Sequence, residues 1–267
     1  MRSVASNNLV LVRSGGSDWI AGSGKAERVE GGWRITARKI FASGVPVGDV
    51  LVTSAVWDNP ESGPTVLHFA LPLKGDGVKV LDTWRVLGMR GTGSHDIVLE
   101  DVFVPDSAVG VRRPAGVWSP AFHTIYTIAF PLVYSVYVGV AEHARDLALR
   151  EAARKAKDPN VQMLVGEMDN ELATARMALR HMIDAAATDS IGAESTNAVL
   201  VGRTLAGRAA IRTVEKAMEV VGGASFFRAL GLERLFRDVQ AARYHPLQEK
   251  PQLLYSGRLA LGLDVNG

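Results

Sequence analysis

Up to about residue 115 the apolar positions recur every second residue in short bursts. Trp33-Arg34-Ile35-Thr36 follows Gly31-Gly32, and Val50 to Val56 follows Gly48-Asp49. Val66 to Leu71, Val78 to Leu81 and Ile97 to Val104 repeat the pattern, with Gly, Pro, Asn and Asp between the bursts. Alternating side chains point to opposite faces of a strand, so this spacing predicts a compact antiparallel sheet, closed as a barrel or stacked as a sandwich. Arg112-Arg113-Pro114-Ala115-Gly116 reads as the linker that ends it.

Beyond the linker the apolar spacing becomes three to four. Val133, Val136, Tyr137, Val140, Ala144, Leu147 and Ala148 form one stripe. Leu164, Met168, Leu172, Ala175, Leu179, Met182 and Ala186 form a second, and Leu200, Leu205, Ala209, Val214, Ala217, Met218 and Val221 a third. Such stripes predict amphipathic helices, stopped at Asp158-Pro159, Ser190-Ile191-Gly192 and Gly222-Gly223. Shorter helical pieces are expected from Leu232 to Arg243 and after Pro251. The fold class is therefore α+β: a β domain over 1–115, then an antiparallel four-helix bundle over 116–267.

Composition narrows the function classes. A formal net charge of +2, with bases and acids interleaved along the helices, gives no footprint for nucleic acid. Without cysteine there is neither disulfide nor thiolate chemistry. The six histidines have no metal-ligand spacing, and no Gly-x-Ser-x-Gly or phosphate-loop motif occurs. No uninterrupted apolar run approaches the roughly 18 residues that cross a bilayer, and no signal core follows Met1-Arg2-Ser3. The expectation is a cytoplasmic protein with no membrane and no metal.

The most specific wording is Trp84-Arg85-Val86-Leu87-Gly88-Met89-Arg90-Gly91-Thr92-Gly93-Ser94, running on into Ile97 to Val104 and Pro105. It resembles the middle domain of the acyl-CoA dehydrogenase superfamily of flavoproteins, in the branch that includes dibenzothiophene monooxygenase. A β domain followed by a helical bundle is also the order of that superfamily's last two domains. Its leading helical domain has no counterpart here, since only about seven residues precede the first expected strand.

The resemblance implies a flavin, FAD or FMN, lying between the two domains. Val10 and Leu11 stand where main-chain contacts to the isoalloxazine are expected, and Ser17 where a hydroxyl faces it. By themselves these residues read as a glycine turn after an edge strand. Strand alternation puts Phe41 and Ser43 on one face, opposite Ala42. The resemblance assigns Phe41 to packing on the flavin and Ser43 to a hydrogen bond at its N5 edge. The plain alternative is a buried aromatic and a turn-forming Ser43-Gly44 pair.

Gly222 and Gly223 match a Gln-x-x-Gly-Gly segment against which a neighbouring subunit's FAD lies in the family. Glu219 replaces that Gln, and a carboxylate facing phosphates repels them, which leaves FMN open. On sequence alone the glycine pair is as well read as a helix stop. The loop 156–162 has no Arg-x-x-Phe cofactor anchor; Arg154, Lys155 and Lys157 are the nearby charges. The dehydrogenase base would fall on Pro246, or at its alternative position near Ala129, and neither can take a proton. His245 instead matches a histidine that the monooxygenase-like branch places close to the flavin's oxygen-reactive carbon. Glu249 beside Lys250 reads as a surface pair.

These residues imply a flavin-dependent oxidoreductase acting on a small molecule. Its flavin would arrive reduced from a separate reductase, and the chain would form dimers or tetramers through the bundle. Two rivals stand beside it. One is an acyl-CoA dehydrogenase with its base and helical domain supplied by a partner subunit. The other is a truncated, non-catalytic subunit.

Overall fold

The structure, a computed structural model, describes residues 2–187 and 190–266. A five-residue helix α1 (Arg2–Ser6) leads to strand β1 (Leu11–Arg13) and a short helix α2 (Gly16–Ala21). Strands β2 (Lys25–Val29), β3 (Gly32–Lys39), β4 (Val50–Asn59) and β5 (Gly63–Pro72) follow. Then come β6 (Val78–Leu81), β7 (Asp96–Pro105) and β8 (Val109–Pro114). The sheet runs β6-β7-β3-β2-β4-β5-β8, with β1 added beside β4. It is mostly antiparallel, as the alternation predicts, but β1 and β2 both pair with β4 in parallel.

Period-two patterning explains the core. Trp33, Ile35 and Ala37 are buried on β3 while Arg34, Thr36 and Arg38 face out. Leu51, Leu67, Ile97, Leu99 and Val104 complete the same cluster. Three local expectations need correction. Arg112-Arg113-Pro114 is not a linker but the end of β8, paired to β5. Arg113 is drawn inward, where it donates to His68 Nε2 at 3.0 Å and to the carbonyls of Trp19 and Ile20. The glycine turn near Ser17 is the helix α2. Phe41 and Ser43 lie beyond the end of β3, in an irregular turn rather than a strand.

The bundle has three long helices, α3 (Pro120–Ala152), α4 (Pro159–Ala186) and α5 (Ala193–Val221). Two shorter ones follow, α6 (Leu232–Val239) and α7 (Glu249–Ala260), and α5 packs against all four others. Asp158 caps α4 by accepting the Asn160 amide at 2.9 Å, with Pro159 in the first turn. The first stripe is displaced by about a residue from its expected place: Tyr134, Tyr137, Val138, Ala141, Ala144 and Ala148 are buried, whereas Val136 is exposed. Leu205 of the third stripe is exposed too. Tyr134, outside the expected stripe, joins Tyr137 on the buried face of α3, and each ring has a polar tip that finds a partner.

Residues 120–155 also make one helix long and apolar enough, by length and composition, to cross a membrane. That corrects the expectation drawn from uninterrupted runs, because Thr, Ser and Gly break the run without lowering its overall apolarity. Its buried face is occupied by bundle packing, as in any core helix. By contacts the chain divides into two compact units. One is the sheet unit, residues up to Val86 with Arg90–Ser119; the other is the bundle unit, Leu87–Met89 with Pro120–Val265.

Candidate functional site

In the sheet unit, three segments singled out in the sequence meet. The Gly15 amide donates to the Ile40 carbonyl at 2.9 Å, next to Phe41. The Trp84 ring meets Phe41 edge-on, with centroids 5.8 Å apart. Ser43 Oγ lies 2.8 Å from Ser94 Oγ, which is itself 2.7 Å from Thr92 Oγ1. His95 Nδ1 accepts the amides of Thr83 and Trp84 at 3.1 and 3.2 Å, which holds the Trp84 loop in place. Phe41 is 52% exposed and has φ 56°, a left-handed conformation that a bulky side chain rarely adopts. Such strain needs surroundings that enforce it, and it concentrates where a ligand is held.

Val10 and Leu11 lie at the exposed start of β1. The Val10 amide donates to Asp49 Oδ2 at 2.8 Å, and its carbonyl accepts from the Asp49 and Val50 amides. Ser17 is exposed in the first turn of α2. Ser14, rather than Ser17, enters the interior: with Thr53 and Ser23 it donates to Asp18, which also accepts Lys39 Nζ at 2.8 Å. An exposed aromatic face beside a hydroxyl suits a planar ring that carries carbonyl and nitrogen acceptors, so Phe41 and Ser43 fit an isoalloxazine.

The bundle unit holds a second cluster. His245 Nε2 lies 2.6 Å from the Tyr137 hydroxyl, while the Tyr134 hydroxyl donates to the Ala242 carbonyl at 2.7 Å. Arg203, only 2% exposed, donates to the carbonyls of Ala242, Arg243 and His245, the last at 2.6 Å. Its Nε has no partner, and no carboxylate pairs with it among the described residues. Burial first, and then the charge of Arg203, depress the His245 pKa to about 4, so the imidazole is neutral at pH 7. Burial likewise pushes the Tyr137 phenol above its ordinary value.

At the end of α6, Arg237 donates to the Leu87 carbonyl at 2.9 Å and Asp238 accepts the Met89 amide at 2.6 Å. A Cβ on Gly88 would lie 2.2 Å from the Arg237 carbonyl oxygen, so only glycine fits this approach. Glu249 pairs with Arg208 rather than with Lys250, which corrects the surface pair expected from their adjacency. The structure does not bring Gly222 and Gly223 to His245. They end α5 about 28 Å along its axis from Arg203, at ~1.5 Å per residue. The space a Cβ would occupy at either glycine is open, and Phe226 beside them is 84% exposed. Glu219 is bound to Lys216 at 2.9 Å, which offsets the repulsion expected of it.

The sequence matches the acyl-CoA dehydrogenase middle domain over residues 13–102 and the acyl-CoA dehydrogenase C-terminal domain over 133–249. The chain belongs to the acyl-CoA dehydrogenase superfamily. It is 32% identical over 251 residues to the amino sugar nitrososynthase RubN8 of Streptomyces rubradiris, an alignment covering 88% of this chain and 58% of that protein. It is 27% identical over 259 residues to the flavin-dependent monooxygenase oxygenase subunit HsaA of Rhodococcus jostii (strain RHA1), covering 87% and 66%. The solved structure of KijD3 in complex with FMN and dTDP-3-amino-2,3,6-trideoxy-4-keto-3-methyl-D-glucose aligns with a TM-score of 0.87 at 28% identity, covering 98% of this chain and 68% of that one. The chain thus spans less than two thirds of the length of either curated relative.

Pro246 and the neighbourhood of Ala129, where the sequence resemblance put the dehydrogenase base, show no acid at those two positions. The sequence reading missed Tyr137, Arg203, Trp84 and Ser94 as parts of the clusters. Tyr137 was legible only as one apolar position of a stripe. Arg203 did leave a signal: a charge three residues after Leu200, within the third apolar stripe.

Proposed function

We propose that this protein is a flavin-dependent oxidoreductase of the reduced-flavin, dioxygen-using kind found among its relatives. The observation that carries this reading is His245, a half-buried imidazole, neutral at pH 7, in the segment where a dehydrogenase keeps its proton-abstracting carboxylate. The acids nearest to it in sequence have other partners: Asp238 the Met89 amide and Glu249 Arg208. Reduced flavin, when bound, supplies two electrons to dioxygen. Phe41 would pack against the flavin ring, Ser43 would offer its hydroxyl at the N5 edge, and Val10 and Leu11 would lend main-chain contacts. His245 would donate a hydrogen bond to the oxygen that gains charge.

FMN and FAD are both accommodated by these roles, with Gly222 and Gly223 reserved for the longer cofactor. The substrate is a small molecule, the electrons come from a separate reductase, and the assembly is a dimer or tetramer. The test is titration of the full chain with reduced FMN and reduced FAD under argon, followed by mixing with oxygen. Saturable binding, with oxygen uptake altered by His245→Gln, is expected. No binding of either flavin sinks the reading. Anaerobic reduction of bound flavin by an acyl-CoA would replace it with dehydrogenase chemistry.

A further inference from the structure

Counting donors and acceptors around His245 fixes its tautomer. The Tyr137 hydroxyl is buried, 2.6 Å from His245 Nε2. A phenol has one proton to give, and among the described residues that nitrogen is the one acceptor within reach of it. Tyr134 offers no alternative, because its own hydroxyl is committed to the Ala242 carbonyl at 2.7 Å. Were Nε2 to donate instead, the Tyr137 proton would sit inside the bundle with nothing to receive it, an arrangement folded proteins avoid. An imidazolium would orphan the same proton, and would add a charge beside Arg203, whose guanidinium has no carboxylate partner.

The backbone that carries the ring is tied down. Arg203 from α5 holds the His245 carbonyl at 2.6 Å and also grips the Ala242 and Arg243 carbonyls just before it. The groups facing the imidazole are Tyr134 and Tyr137 of α3 and Arg203 of α5, with the charge of Asp238 on α6 felt at Tyr137. No described residue accepts from Nδ1, and Nδ1 is not among the sealed-off polar atoms.

We infer that Tyr137 is a positioning residue: its hydroxyl donates to Nε2 of His245, which places the imidazole proton on Nδ1 and makes Nδ1–H the donor that His245 presents. The inference rests on the reading of His245 as the group acting at the flavin, and it specifies that role. With Nε2 already occupied, His245 cannot serve as a general base through that atom. It can only donate through Nδ1, to an acceptor such as a carbonyl or negatively charged oxygen of the bound flavin or substrate. The site is thereby specialised for steadying charge on oxygen rather than for removing a carbon-bound proton.

The test is side-chain nitrogen NMR of the histidine-labelled, flavin-free full chain at pH 7, with the His245 signal assigned by its loss in His245→Gln. The wild-type spectrum is expected to show a protonated Nδ1 and an unprotonated Nε2; a protonated Nε2 overturns the proposal without any variant. In Tyr137→Phe the major population should move to the Nε2–H tautomer, and an unchanged ratio would overturn it. With reduced FMN and oxygen, Tyr137→Phe should release peroxide about ten times faster than wild type. A tautomer shift without any change in peroxide release would support the Tyr137 lock while overturning the flavin role of His245, so the two failures are distinguishable.

Discussion

Lys39 of the sheet unit and Arg203 of the bundle unit are both buried cations, and the two are treated in opposite ways. Lys39 of the sheet unit is fully buried on the core face of β3, where alternation calls for an apolar side chain. All three of its protons are met, by Asp18 and by the hydroxyl and carbonyl of Ser23, and Asp18 is in turn met by Ser14, Thr53 and Ser23. Arg203 of the bundle unit is nearly as buried, yet it meets neutral groups, three carbonyls, the Thr204 hydroxyl and the Tyr134 ring, with no carboxylate paired to it among the described residues and Nε unpaired. Burial lowers the pKa of both, but at Lys39 the carboxylate of Asp18 opposes the shift through a direct contact. A closed network of this kind holds a structure together. An open one spends its charge on its neighbours, and here the neighbour is His245. The first is a clamp; the second sets the electrostatics of a site.

The largest effect that could break this contrast is expected at Lys39. Lys39→Met strands the Asp18 carboxylate in the sheet core and should destabilise that unit by about 3–5 kcal/mol. Adding Asp18→Asn should recover most of the loss, as read by urea unfolding. If Lys39→Met loses less than about 1 kcal/mol, the clamp description fails.

Acidification acts on both units through their depressed histidines. His68 and His245 each have a pKa lowered from 6.5 to about 4, mainly by burial, so the folded chain refuses protons that the unfolded chain takes up. Their stabilising contribution is complete above about pH 6.5, shrinks as pH falls through the window to 4, and changes no further below it. The loss should reach up to about 3 kcal/mol for each histidine, and the denaturant midpoint measured against pH reads it. A flat profile between pH 6.5 and 4 would show that neither imidazole is desolvated as described.

At Arg203 the expected damage is smaller than at Lys39, because no counter-charge is stranded. Arg203→Met should destabilise the bundle by roughly 2 kcal/mol, chiefly through the unpaired carbonyls of Arg243 and His245. The same variant should raise the His245 pKa from about 4, which an NMR titration detects. An unmoved pKa would detach Arg203 from the site. The smallest effect is expected at Phe41. Phe41→Gly relieves the left-handed strain and should leave stability within about 1 kcal/mol of wild type, while weakening flavin binding about tenfold or more. Equal flavin affinity in that variant would remove Phe41 from the cofactor site.

Much of this architecture was legible from local spacing. The bursts at Trp33, Val50, Val66, Val78 and Ile97 became β3, β4, β5, β6 and β7, and the three stripes became α3, α4 and α5. Misreadings arose where a distant partner overruled a local cue. Arg112-Arg113-Pro114 has the composition of a linker, but β5 recruits it as a strand. Phe41 and Ser43 alternate correctly in burial about Ala42, yet the turn that presents them belongs to no strand. Of the candidate site, Phe41, Ser43 and His245 could be named as candidates and Trp84 and Ser94 only as motif wording, while their pairing and the parts of Tyr137 and Arg203 could not be read.

By itself the sequence determined the elements, their order and the superfamily, because side-chain periodicity and motif wording act between residues a few positions apart. Which polar groups end up together was decided only by tertiary packing. Tyr137 and His245 are 108 positions apart, Arg203 and the His245 carbonyl 42, and Lys39 and Asp18 21. Hydrogen bonds and buried charges take their partners from proximity in space, and nothing in local spacing encodes that proximity.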